Sequence, residues 1–130
     1  MAAERGFIDM MKWAIENGCK GYSEIFCEAA AGGGQLETLK WLQANGYEWH
    51  HSACTAAADY SHLEILKWLR QNGCPWNEFT ASTAAFRGSI EVVQYIIENG
   101  CPMDQNECII QAMLRDRDEI ANLFRNINKT

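Results

Sequence analysis

The sequence predicts an all-α fold, a solenoid of stacked helix-turn-helix units, and three observations predict it. Asn-Gly recurs at 17–18, 45–46, 72–73 and 99–100, giving spacings of 28, 27 and 27 residues. In that register several columns keep one residue type. Within each period two short stretches carry apolar residues at helical spacing. Units of this kind bury their apolar faces only against neighbouring units, so repetition itself supplies the core.

The register divides the chain into one repeat domain, 1–130. Its units are a partial one, 1–18, then 19–46 (with one extra residue), 47–73, 74–100 and a C-terminal cap, 101–130. Positions are numbered here from 1 at Cys74 to 27 at Gly73 or Gly100. Position 18 is acidic throughout: Asp9, Glu37, Glu64, Glu91 and Asp118. Position 22 reads Trp13, Trp41, Trp68, Tyr95 and Asn122, and position 21 reads Lys12, Lys40, Lys67, Gln94 and Ala121. Position 12 is alanine in every unit, from Ala3 to Ala112.

The first helix of a unit, typified by 77–88, opens at a position held by Ser23, His50, Asn77 and Asp104, three of them good N-caps. Its alanines at positions 11 and 12 let neighbouring helices approach closely. A turn follows, reading "AGGGQ", "DYSH" or "FRGS". The second helix, typified by "HLEILKWLRQNG" at 62–73, has apolar residues at 63, 65, 66, 68 and 69, with acid-to-lysine pairs outward. Its Asn-Gly is a left-handed stop, because glycine alone enters that conformation without a Cβ penalty. Pro75 then blocks continuation. Trp76 shares its column with Trp49, Tyr22 and Met103 as a wedge between units. All five tryptophans fall at positions 22 or 3, so each is expected to be largely buried, and Gly46, Gly73 and Gly100 to be left-handed.

The segments "GQLETLKWLQANG", "SHLEILKWLRQNG" and "GSIEVVQYIIENG" resemble the second helix of the ankyrin repeat, and "AAADYSH" its helix junction. The 27-residue period, the "NGCPW" turn and the lysine-tryptophan pair look like a short ankyrin variant of large DNA viruses and some unicellular eukaryotes. The likeness runs over roughly residues 3 to 126. The usual Thr-Pro-Leu-His tetrapeptide and Asp-Gly hairpin are missing, about six residues short of the usual ~33. The resemblance therefore implies an ankyrin-type solenoid without long β-hairpin fingers, and finger-mediated binding does not carry over.

Composition excludes several functions. A net charge of −6 and a pI near 5.0 oppose binding to nucleic acid, which needs Lys and Arg against phosphate, and to anionic membranes. No apolar run reaches the ~18 residues of a spanning helix, and "MAAERGFIDMMKW" is no secretory signal. A cytoplasmic, monomeric protein is expected. The six cysteines fall at position 1 (19, 74, 101) or position 8 (27, 54, 108), with no C-x-x-C, so they read as small core residues rather than metal ligands or disulfides. No metal, cofactor or catalytic residue is expected. The competing chemistry would be a thiol or metal site joining Cys54 to His50 or His51, favoured by an exposed, perturbed thiolate. His62 stands where ankyrins commonly carry a histidine, which makes it structural. "AGGGQLE" lacks the Gly-Lys-Ser/Thr of a phosphate loop.

Surface variation points instead to a partner. Positions 5, 9 and 13 of the first helices share one face, which the resemblance places on the concave side where ankyrins bind. Position 5 reads Glu24, His51, Glu78 and Gln105, and position 9 reads Glu28, Thr55, Ser82 and Ile109. Positions 13–14 read Gly32-Gly33, Asp59-Tyr60, Phe86-Arg87 and Met113-Leu114. The expected site is Glu24, Glu28, His51, Asp59, Tyr60, Glu78, Phe86, Arg87 and Met113. Basic groups of another protein would meet its acidic end and an apolar anchor would meet Phe86 and Met113. The alternatives are a passive spacer or part of a longer array.

Overall fold

Alanine and cysteine decide how the layers stack. The computed structural model describes residues 2–18 and 23–127. They form α1 (Ala2–Glu16), α2 (Ser23–Gly32), α3 (Leu36–Ala44), α4 (His51–Asp59), α5 (Leu63–Gln71), α6 (Glu78–Arg87), α7 (Ile90–Glu98), α8 (Gln105–Leu114) and α9 (Asp118–Arg125). No strand occurs among the described residues, so the hairpin fingers are absent there. The first helices, α2, α4, α6 and α8, stack through Cys27, Ala30 and Ala31, then Ala53, Cys54, Ala57 and Ala58, then Ala81, Ala84 and Ala85, all fully buried. Such small side chains let helix axes close towards the ~8 Å lower limit of helix packing. The second helices meet through Leu39, Leu42, Leu66, Leu69, Val92, Val93 and Ile96, also fully buried, and touch one another less than the first helices do. A tighter inner layer and a wider outer one curve the array towards the first helices.

Caps and stops follow the sequence. Asn77 accepts from the backbone N–H of Phe79 at 3.0 Å and of Thr80 at 3.4 Å, while Thr80 Oγ1 returns a bond to the Asn77 N–H at 3.2 Å, a complete capping box. Asp104 accepts from the Glu107 N–H, and the His50 ring accepts from the Ser52 N–H. The Ser23 side chain, with Cys19 and Tyr22, lies outside the described residues. Gly18, Gly46, Gly73 and Gly100 have φ between +71° and +91°, as the stop requires. The asparagine before each donates its Nδ2 back to the carbonyl of the aromatic residue four positions earlier: Trp13, Trp41, Trp68 and Tyr95, at 2.7–2.8 Å.

Three expectations are corrected. Trp13 is 64 % exposed, and Trp41, Trp49, Trp68 and Trp76 are half-buried, so the tryptophans form a rim over the core. Trp49 meets Trp68 edge-on at 5.7 Å and Trp76 meets Tyr95 at 6.0 Å, position 3 covering position 22 of the same unit. Second, residues 2–16 form one continuous helix through Arg5-Gly6-Phe7, where the other units turn.

The third correction is a one-residue slip in the last unit. Gly34, Ser61 and Asp116 share the left-handed conformation (φ +70°, +59°, +55°) at the helix-helix turn, and 116 lies one residue beyond two periods from 61. Helices α6 and α8 each run one residue further than α4. The link after α6 shortens to Gly88-Ser89 and restores the register, whereas the turn after α8 keeps three residues. Ile120, Ala121 and Phe124 consequently fill the places of Ile65, Leu66 and Leu69. Leu123, not Asn122, stands in the tryptophan column.

Candidate partner-binding groove

The side chains at the turns lean backwards, each onto the preceding unit. The Tyr60 ring rests over Gly32, where a Cβ would approach it to 3.3 Å. Arg87 Nε meets Asp59 Oδ1 at 2.7 Å, an ion pair without aligned hydrogen-bond geometry, and its guanidinium lies 5.9 Å from the Tyr60 ring. Arg115 lies 4.9 Å from the Phe86 ring. Aromatic rings and guanidiniums thus alternate along the first-helix ends, a favourable arrangement because a ring face attracts a cation.

Two hollows open along this ladder. One of about 640 Å³ is lined by Ile25, Glu28, Ala29, Gly32, Gly33, Thr55, Ala56, Asp59, Tyr60 and Thr83. The next, about 520 Å³, is lined by Asp59, Phe86, Arg87, Arg115 and Arg117, and Asp59 joins the two. Of the residues expected from sequence, Glu28, Asp59 and Tyr60 come together in the first hollow, and Asp59, Phe86 and Arg87 in the second. Phe86 is half-buried, Tyr60 is 56 % exposed and Met113 is 51 % exposed.

Position 5 turns away from both hollows. Glu24 pairs with the His50 ring at 3.1 Å across the unit boundary. His51 stacks on His50 with ring centroids 4.0 Å apart. Glu78 borders a smaller acidic hollow with Phe79, Ser82, Asp104 and Glu107. The first hollow draws on positions 6, 9, 10, 13 and 14, and the second on 13, 14, 15 and 17, rather than on 5, 9 and 13. The signal was present in the sequence: alanine and cysteine at positions 8, 11 and 12 mark the buried side, and half a turn away lie 6, 10 and 13–14. That displacement brings in exposed Ile25 and Phe79 at position 6, and exposed Ile110 and Leu114 further along.

Several other titratable groups tie one unit to the next. His62 Nε2 lies 3.0 Å from Gly32 O, tying its turn to the preceding first helix. Arg117, at the same place in the last turn after the slip, donates to Ala85 O at 3.3 Å and to Gly88 O. Cys74 and Cys101 lie 3.5 Å from the carbonyls of His50 and Asn77, so position 1 reaches the cap residue of the preceding unit. Cys54 Sγ donates to Cys74 Sγ at 3.3 Å, joining position 8 of one unit to position 1 of the next. The five described cysteines are buried and unpaired by disulfide. Burial pushes the thiols of Cys27, Cys101 and Cys108 up to about 12. Cys54 is raised further, first by the hydrogen bond it donates to Cys74 and then by burial. It is fully buried and bonded to Cys74 rather than to a histidine, so the exposed thiolate that would favour a Cys54 site is not what the structure shows. No group of three or more metal-binding side chains occurs among the described residues. No helix there is long and apolar enough to cross a membrane.

No curated protein matches the chain. The family model for ankyrin repeats (3 copies) matches residues 26–107, well over half of the sequence. That span covers α3 to α7 whole and most of α2, with the turns after α2, α4 and α6 and the Asn-Gly stops at 45–46, 72–73 and 99–100, and the chain belongs to the ankyrin-repeat family.

Proposed function

We propose that this protein is a non-catalytic interaction module that holds a segment of a partner protein, in the cytoplasm, in the groove along its first helices. Ankyrin repeats are in general protein–protein interaction modules, and this reading adds a face and its residues. One observation carries it: Ile25 and Tyr60 line the first hollow and stay exposed, as do Met113 and Leu114 at the end of α8, while the alanines at positions 11 and 12 behind them are buried. Contiguous exposed apolar surface of this kind marks interaction sites. A rigid array loses little conformational freedom on binding, which favours affinity. Glu28 offers a place for basic groups at one end, Tyr60 and Phe86 are the anchors, and Met113 extends the apolar surface. Glu24, His51 and Glu78 are rim residues at most in this arrangement.

Cross-linking capture from a lysate of the source cells, followed by affinity measurements with the captured protein, tests this reading. Tyr60→Ala and Phe86→Ala should each weaken binding by about 1–3 kcal/mol, the range of interface hot spots. If both leave affinity intact while Trp13→Ala or Lys40→Ala on the outer helices abolishes it, the groove is not the binding face.

A further inference from the structure

The second hollow differs in character from the other hollows among the described residues. In a chain of net charge −6, it gathers three guanidiniums, Arg87, Arg115 and Arg117, against one carboxylate, Asp59. That carboxylate is already engaged by Arg87 at 2.7 Å. The other ion pairs among the described residues, Glu37–Lys40, Glu24–His50 and Glu64–Lys67, leave Arg115 and Arg117 without an acidic partner. Asp116, Asp118 and Glu119 border a separate hollow that Arg117 also lines. Burial first, and then the neighbouring Arg115, lower the pKa of Arg117.

The geometry holds these charges ready. Arg117 is fixed by the carbonyls of Ala85 and Gly88, and Arg115 lies against Phe86. A guanidinium held by its face to a ring keeps its in-plane N–H donors free, and those donors match the two oxygens of a carboxylate. Resting on the groove reading above, we propose that the hollow walled by Phe86, Arg87, Arg115 and Arg117 receives a carboxylate from an acidic segment of the partner protein. An apolar neighbour of that acid packs on Phe86 or Met113. The bound segment then has a fixed direction, with basic residues towards Glu28 and acidic ones towards Arg115. Complementary charge of this kind sets register and orientation more than total affinity.

The test uses the whole chain and three N-acetylated, C-amidated tripeptides: glutamate–leucine–glutamate, glutamine–leucine–glutamine and lysine–leucine–lysine. Their effect is read by NMR on the backbone amides and on the arginine Nε–H signals, with inorganic phosphate as a fourth probe. The glutamate peptide should shift the Arg87 and Arg115 Nε–H signals saturably. Arg115→Gln should weaken that binding about tenfold, as expected for loss of one charge-assisted bond, whereas Lys40→Gln should leave it unchanged. Arg115 is exposed, so its variant keeps the fold, which a thermal melt checks. Equal shifts from the glutamine peptide, or no response to the glutamate peptide, overturn the proposal. So does phosphate saturating the same signals at lower concentration than the glutamate peptide. The lysine peptide reads the other hollow through Glu28 and Tyr60. If it binds there while the glutamate peptide is silent, the acid subsite alone falls. Silence of both peptides removes the groove reading as well.

Discussion

The inner and outer layers of the array solve the same packing problem with opposite materials. Between first helices the buried side chains are alanine, cysteine and threonine, and the helices lie close. Between second helices they are leucine, isoleucine and valine, and a half-buried aromatic rim closes the outer edge. A methyl group cannot shrink or turn aside, so the inner layer fixes the spacing. A tryptophan at the rim can adjust, and Lys12 over Trp41 and Lys67 over Tyr95 cover part of it from the preceding unit. The inner layer therefore sets the shape of the groove, and the outer layer supplies most of the hydrophobic stabilisation.

Three measurements in urea break or sharpen this contrast. Leu66→Ala removes a large, fully buried outer-layer side chain and should cost the most, about 3–4 kcal/mol, within the range for buried leucines. A loss under one kilocalorie would mean the outer layer is not the main source of stability. Ala84→Leu overfills the inner layer, where Ala84 is fully buried, and should cost about 2–3 kcal/mol. It should also perturb the groove amides of Thr55 and Tyr60, which Leu66→Ala should leave nearly in place; the reverse pattern would place control of the groove in the outer layer. Smallest are the rim substitutions. Trp68→Ala should cost about 2 kcal/mol, below the ~3–5 of a fully buried tryptophan, and Trp13→Ala less than about 0.5 kcal/mol. Equal costs for the two would show that the edge-on contact with Trp49 contributes nothing.

Much of this architecture was legible because its cause is local. Asn-Gly, the caps at His50, Asn77 and Asp104, and the alanine columns each act within one turn of helix, and periodicity displays them repeatedly. The register slip was not legible. It depends on whether a turn keeps three residues or two, and Arg115-Asp116-Arg117 gives no composition signal against Gly88-Ser89. The groove was half legible. Tyr60, Phe86 and Arg87 stood out by type, but Glu24 was misplaced because its partner, His50, lies in the next unit. Arg115 and Arg117 were missed because the variable columns were compared only up to position 14. The backward lean of each turn, which brings Arg115 onto Phe86, is a property of stacking that spacing does not encode.

The Asn-Gly stops also bear on how the protein ages chemically. Asn-Gly is the dipeptide most prone to deamidation, in which the glycine nitrogen attacks the asparagine side-chain carbon and ammonia leaves. Here Gly46, Gly73 and Gly100 donate their N–H to carbonyls three residues earlier, and each asparagine amide is tied to an aromatic residue's carbonyl. Both reactants must be released before they can meet, so ageing at these sites is gated by fraying of the helix end. The aspartate that results could not donate to that carbonyl, and its negative charge would sit at the unfavourable end of the helix dipole. One such event would loosen its own helix end, making the four Asn-Gly stops a clock that runs faster once the stack begins to open.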